Sequence, residues 1–298
     1  MMPTFRIAVV GRTGQVAQAL IRAAGARGID LAARGRPELD LSNVDSVGRY
    51  LHEIKPNVVV NAAAYTAVDK AESEPDQAFR ANAGAPALLA TLCDHFQIPL
   101  VHLSTDYVFD GTKRTPYRED DKIAPLGTYG ASKAAGEAAV RSIHPSHIIL
   151  RTAWVYAPDG ANFLKTMLRL GAEREILRVV DDQRGSPTSA DDIAGAVFDI
   201  VRRLAEGVPG TAFGTYHLTN AGETTWYGFA SEIFRHAAAA GLKTPRLEAI
   251  PTSEYPTPAR RPQYSVLDNA KIERVFSVRL PPWQQSLAHC FKQLVSRG

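Results

Sequence analysis

Tyr129 and Lys133 stand four residues apart at the head of a small-residue run, Gly130-Ala-Ser-Lys-Ala-Ala-Gly136, just after Pro125 and Gly127. On a helix that spacing stacks both side chains on one face, about 6 Å apart along the axis. A phenol with a pKa of about 10 is a poor acid at neutral pH, and an ammonium one turn away pulls that value toward the working range. The pair is suited to giving a proton to, or taking one from, a carbonyl or hydroxyl oxygen. By itself such a spacing more often describes a packed ring beside a solvated amine. The apolar run Leu100-Val-His-Leu, which ends in Ser104-Thr105-Asp106, adds weight because it brings strand-end hydroxyls that could meet the same oxygen. Strand-end hydroxyls also make turns and caps. Ser104 and Thr105 point oppositely on an extended backbone, so one of the two is expected to reach a substrate.

A proton donor of this kind needs a partner redox group, and the amino end offers a place for one. The apolar strand Phe5–Val10 runs into Gly11-Arg-Thr13-Gly14-Gln15-Val16-Ala17 and then into helically spaced Ala19, Leu20, Ile21, Ala23 and Ala24. Strand, glycine turn and helix in that order form a dinucleotide fingerprint, here G-x-x-G-x-x-A. Gly11 allows the tight turn, Gly14 the close approach of backbone to a pyrophosphate, and the helix N-terminus faces the phosphates with free N–H groups. A second strand, Ile29–Ala33, ends at Arg34-Gly-Arg36, where an acid would bind the ribose of NAD and an arginine the extra phosphate of NADP. Two arginines and no acid point to NADPH, with NADH as the lesser alternative. The third strand, from Val58, ends in Ala62-Ala63-Ala64, small enough for a ribose or flat ring to lie against the backbone.

With the fourth strand at Leu100 and the fifth at His147–Leu150, residues 1–156 alternate strands and helices. The expected fold is α/β, a Rossmann-like doubly wound parallel sheet with ligands beyond the strands' carboxyl ends. A helix over Asp192–Leu204 is expected to return to this domain within 190–205. Residues 157–189 and 206–298, with a short strand at Tyr216–Leu218 and four prolines from Pro251 to Pro262, are expected to form a smaller C-terminal substrate lobe. There Arg260 and Arg261, stiffened by prolines, could hold a diphosphate.

Composition limits the remaining classes. Among 298 residues, 45% are hydrophobic and the net charge is +3 with both signs interspersed, so neither a nucleic-acid groove nor a membrane surface is expected. Cys93 and Cys290 lack metal spacing and read as buried thiols. With no leader-like segment and no long apolar run, the chain reads as soluble and cytoplasmic.

These residues together resemble the extended short-chain dehydrogenase/reductases and, within them, the dTDP-4-dehydrorhamnose reductase family. The resemblance covers nearly the whole chain. It is carried by Gly11–Val16, Asn61–Pro75, Ser104–Gly111, Tyr129-x-x-x-Lys133, Arg151–Tyr156, Asp182–Thr188, Thr224–Trp226 and Pro256–Pro262. It implies reduction of a 4-keto-6-deoxy dTDP-sugar in rhamnose synthesis. Tyr129 would then be the proton donor, Lys133 would bind the nicotinamide ribose, and Thr105 would bind the reacting oxygen. Asp40, Leu41, Ala64, Tyr65 and Thr66 would line the dinucleotide. Trp154 would pack against the sugar, with Ser104, Asp106, Asn162, Arg260 and Arg261 also on the substrate side. Some members dimerise around magnesium held by glutamates, but Ala19 occupies one such position, which argues against the metal; a monomer or a homodimer is expected. Arg34 stands where some members carry an acid. Rival readings are a nucleotide-sugar epimerase or 4,6-dehydratase and a non-catalytic subunit like that of methionine adenosyltransferase. The dehydratase would need an acid where Tyr107 follows Thr105-Asp106, and the binding subunit would have no use for the hydroxyl, tyrosine and lysine set.

Overall fold

The computed structural model describes residues 5–296. Six strands pair in parallel: β1 (Ile7–Val10), β2 (Leu31–Arg34), β3 (Val58–Asn61), β4 (Leu100–Thr105), β5 (His147–Thr152) and β6 (Gly214–His217). Their order across the sheet is β2-β1-β3-β4-β5-β6. The order reverses between β1 and β3, which pair Val9 with Val60 and Val10 with Asn61. Strands that are buried on both faces should be apolar, and β1 is so throughout while β3 is so up to its last residue, Asn61.

Alternate strand residues feed two cores. Ile7, Val9, Val58, Val60, Val101, Leu103, Ile148 and Leu150 pack on helices α1 (Gln15–Arg27) and α6 (Ala190–Glu206). Ala8, Val10, Val59, Leu100 and Ile149 face the other layer, α2 (Val44–Ile54), α3 (Ala85–His95) and α4 (Thr128–Ile143). A third core joins α5 (Phe163–Glu173), α7 (Trp226–Ala239) and α9 (Trp283–Val295) to the parallel pair Ile176–Val180 and Arg246–Ile250.

The sheet has one strand more than the five expected of residues 1–156. β6, from the segment assigned to the substrate lobe, pairs in parallel with β5 from Gly214↔Ile148 to His217↔Arg151. Tyr216 enters the sheet core together with Ile272 and Phe276 of α8 (Ala270–Phe276). The short strand expected at Tyr216–Leu218 is thus present, one or two residues earlier, but it belongs to the main sheet rather than to the lobe; apart from Tyr216, which meets the core, Gly-Thr-Tyr-His has no apolar pattern that would show this.

α4 carries the tyrosine and lysine, and its glycines let it approach its neighbours. A Cβ on Gly130 would lie 2.2 Å from the Tyr107 carbonyl oxygen, and one on Gly136 would lie 2.0 Å from that of Asn82. Asn82 sits in a π-helical turn, Arg80–Gly84, that runs into α3. Its amide donates to Tyr65 O and Ser132 Oγ and its carbonyl accepts from Tyr65 N–H at 2.8 Å, so it ties the loop after β3 to α4. Gly136→Ala therefore pushes α4 off its bed and should cost roughly 1–3 kcal/mol in urea unfolding; an unchanged midpoint would mean that the backbone gives way freely.

Candidate active site

The carboxyl end of β4 sorts its two hydroxyls. Ser104 Oγ turns under the sheet and donates to Glu137 Oε1 at 2.6 Å, fully buried. The structure therefore withdraws Ser104 from the expected catalytic and substrate sets, because the Glu137 carboxylate already claims its proton. Thr105 points the other way. Its hydroxyl donates to Asp106 Oδ1 at 3.0 Å, accepts from Tyr107 N–H at 3.2 Å and lies close enough to the Tyr129 phenol to lower its pKa.

Tyr129 lies in the first turn of α4, where the Glu72 carboxylate accepts from Thr128 N–H at 2.8 Å and so caps a helix whose N-cap, Gly127, has no side chain. Its ring meets Tyr107 edge-on at 5.9 Å. Burial pushes the phenol up to about 12, against the Thr105 hydroxyl that pulls it down, while the Asp106 charge adds to the rise. The expected lowering by Lys133 does not occur here. Lys133 Nζ donates instead to Leu103 O at 2.6 Å, and burial lowers the ammonium to about 8, against the Glu137 charge that raises it. Asp106, expected on the substrate side, is sealed in; burial raises its carboxyl to about 7, against bonds from Ser265 and Thr105.

Beneath this edge lies an ion pair that the sequence did not disclose. Arg151 Nε and Nη2 grip Glu137 Oε1 and Oε2 at 2.9 and 2.8 Å, and Arg141 Nη1 adds a contact at 3.0 Å. The Arg151 and Glu137 side chains are 1% and 0% exposed. Burial alone would raise the Glu137 carboxyl, but the bonds and charge of Arg151, with Ser104 and Arg141, outweigh it and hold the group below its ordinary value.

The glycine turn sits at the reversal between β1 and β3. Gly11 has φ +111°, and a Cβ there would lie 3.1 Å from the backbone of Ala62 and Ala63. That close approach leaves a cradle that any side chain would fill. Gly14 is the N-cap of α1 and makes no side-chain capping bond, and the first turn holds no acid, so its N–H groups are free for an anion. Thr13, Ala64 and Thr66 are exposed around the cradle and Val16 is half-buried. Gln15 is spent differently: its amide oxygen accepts from Asn162 Nδ2 at 3.0 Å, so its side chain is not free for a cofactor. Tyr65 donates through its hydroxyl to Glu74 at 2.7 Å. Asp40 closes a turn on Ser42, with Leu41 packed beneath it. Arg34 ends β2 over the Tyr50 ring, 5.3 Å from its centroid, and pairs with Glu53 at 2.8 Å. Sequence reasoning passed over Arg12, which the same turn sets beside it; Arg12 pairs with Glu38 at 2.7 Å. Its signal was its place between the two fingerprint positions Gly11 and Gly14.

Beside Tyr129 a small recess lined by Tyr107, Leu126, Ala259 and Arg260 opens into a groove of about 860 Å³, bounded by Lys113, Arg184, Tyr255 and Gln263. Arg260 is exposed at the junction. The structure places two expected substrate residues elsewhere. Arg261 is committed to Asp69 at 2.7 and 3.0 Å and so locks the proline loop to the segment after β3. Asn162 is the N-cap of α5, accepting from Lys165 N–H, because its side chain is needed by the helix end and by Gln15. Trp154 stands past the end of β5 and is stacked on Trp226, a residue that sequence reasoning did not place in the site. No group of three His, Cys, Asp or Glu side chains is placed to hold a metal ion among the described residues. Ala19 is buried in the core against α6. Cys93 and Cys290 are free and buried.

Comparison with known proteins bears on the same residues. The family model of the RmlD substrate binding domain matches residues 5–296. The dTDP-4-dehydrorhamnose reductase of Sinorhizobium fredii is 44% identical over 98% of this chain and 99% of its own. This chain belongs to the dTDP-4-dehydrorhamnose reductase family. The Escherichia coli member is 43% identical over 97% of both chains. The crystal structure of the Bacillus anthracis member in complex with NADP superposes with a TM-score of 0.90 at 34% identity, covering 97% of this chain and 99% of that one.

Removing one side of the buried pair tests its weight. Glu137→Gln should cost roughly 3–5 kcal/mol of unfolding free energy, because Arg151 is left charged in the interior. Glu137 is held below its ordinary value of 4.5, so its contribution is full above about pH 4.5 and fades as pH falls through the lower folded value. Denaturant titrations should show the wild type losing stability more steeply than the variant below that pH; parallel curves would deny the carboxylate this role.

Proposed function

We propose that the protein reduces the 4-keto group of dTDP-4-dehydro-L-rhamnose to give dTDP-L-rhamnose, with NADPH as the electron donor. The observation that carries this reading is that the Tyr129 phenol, whose pKa burial raises and the Thr105 hydroxyl lowers, lines a recess that shares Leu126, Ala259 and Arg260 with a groove of about 860 Å³, room enough for a sugar nucleotide. Bound NADPH supplies the hydride. Gly11, Thr13, Gly14 and Val16 cradle its pyrophosphate, with Gln15 contributing backbone N–H only. Arg34 and Arg12 take the 2′-phosphate, and Asp40, Leu41 and Ala62 to Thr66 line the remainder.

Thr105 holds the ketone oxygen and Tyr129 delivers the proton to it. A phenol raised to about 12 keeps its proton at neutral pH, which suits the reducing direction. Lys133, lowered to about 8 in this buried site but still charged at neutral pH, holds the ribose. The lobe of residues 157–189 and 206–298, apart from β6 and α8, holds the sugar nucleotide, and Arg260 is the diphosphate ligand. A freely diffusing nucleotide sugar and NADPH fit a cytoplasmic enzyme, working as a monomer or homodimer; no helix of the described residues is long and apolar enough to cross a membrane.

The decisive assay supplies dTDP-4-dehydro-L-rhamnose and follows NADPH oxidation; no turnover would sink the reading. Tyr129→Phe should lower turnover by about 10²–10⁴-fold while NADPH still binds, as followed by its fluorescence; wild-type turnover would remove Tyr129 from the mechanism. Arg34→Asp should shift the ratio of kcat/KM for NADPH and NADH toward NADH, and an unchanged ratio would place the arginine away from the 2′-phosphate.

A further inference from the structure

The arginine at the tip of β2 is held in three ways. Its backbone is bonded to the glycine turn: Gly11 N–H donates to Arg34 O at 2.8 Å, and a Cβ on the next residue, Gly35, would lie 3.1 Å from Arg12 N. Its guanidinium lies over the Tyr50 ring, with Cζ 5.3 Å from the centroid. Its edge is taken by Glu53, whose Oε2 accepts from Nη1 at 2.8 Å.

Tyr50 and Glu53 stand three residues apart on α2 and so share one face of that helix. They differ in how firmly they are held. Tyr50 is 2% exposed, and its hydroxyl donates to Ala32 O at 2.7 Å, with Val9 O next at 3.3 Å. Those carbonyls belong to β2 and β1, the strands on either side of the glycine turn, so the ring is fixed to the same frame as the cofactor cradle. A ring held in this way offers the guanidinium its negative face. Stacking there leaves the N–H fork free in its own plane, where it can grip a phosphate with two parallel bonds. Because the side chain is already ordered, little freedom is lost when the phosphate arrives. Glu53 is held more loosely. The Arg34 and Glu53 side chains are 39% and 55% exposed, and a pair that open to water is weak enough for a phosphate dianion to take the carboxylate's place on the edge.

We infer that Tyr50 and Glu53 are positioning residues that set the cofactor preference through Arg34: the ring presents the guanidinium edge to the 2′-phosphate of NADPH, and the carboxylate competes with that phosphate for the edge. This rests on the reading of Arg34 as a 2′-phosphate ligand. The test is a fluorescence titration of the full chain with NADPH and with NADH, at low ionic strength, where screening is least. Tyr50→Leu should raise Kd for NADPH about fivefold and leave Kd for NADH unchanged. Tyr50→Phe keeps the face and should recover most of the loss. Glu53→Gln should lower Kd for NADPH about threefold, again with NADH unchanged. The inference is overturned by a Tyr50→Leu variant in which both Kd values rise together or neither moves, by a Tyr50→Phe variant no better than Tyr50→Leu, or by a Glu53→Gln variant with the wild-type ratio. Glu53→Gln decides alone if Tyr50→Leu does not fold. Arg34→Asp separates the two levels. An unchanged NADPH to NADH ratio there removes the 2′-phosphate reading and this inference with it, whereas a shifted ratio beside indifferent Tyr50 and Glu53 variants removes the inference alone.

Discussion

A carboxylate and a guanidinium shut away from water can persist only if each satisfies the other almost completely. Glu137 and Arg151 do so with two parallel hydrogen bonds, and Ser104 and Arg141 take up remaining acceptor sites on the carboxylate. The pair joins α4 to β5, and Ser104 brings in β4. Two of those elements, α4 and β4, carry Tyr129 and Thr105, and β5 leads into Trp154 two residues past its end. The geometry of the reactive edge therefore depends on a contact one layer below it, with directional bonds that a purely apolar interface would lack.

The same layer explains the behaviour of the lysine and the tyrosine. Lys133 shares the interior with Glu137, so its charge is partly supported, but the backbone carbonyl of Leu103 claims its protons. Tyr129 then feels burial more than it feels any cation. A phenol in that state holds its proton until a stronger base arrives beside it. For a reductase this is the useful resting condition, because the developing alkoxide is that base.

Most of the alternating half was legible in the sequence, because buried parallel strands are written as unbroken apolar runs. The glycine turn was legible for the same kind of reason: only glycine fits a left-handed residue pressed against Ala62 and Ala63. What stayed hidden was tertiary. Nothing in Ser104-Thr105 tells which hydroxyl faces the ligand until Glu137 is known to lie beneath. Asn162 and Arg261 have side chains suited to sugars and phosphates, yet a helix end and Asp69 use them first. Trp226 was visible as a residue but not as a neighbour, since the 71 positions between it and Trp154 carry no periodic signal of the contact.

β6 has a consequence for how the molecule is made. The outermost strand comes from residues 214–217, more than sixty positions after β5 is complete. A ribosome that has released the whole nucleotide-binding half still presents β5 as a bare edge, with its backbone donors and acceptors open to foreign strands. Truncation anywhere before Gly214 leaves the β5 edge unpaired.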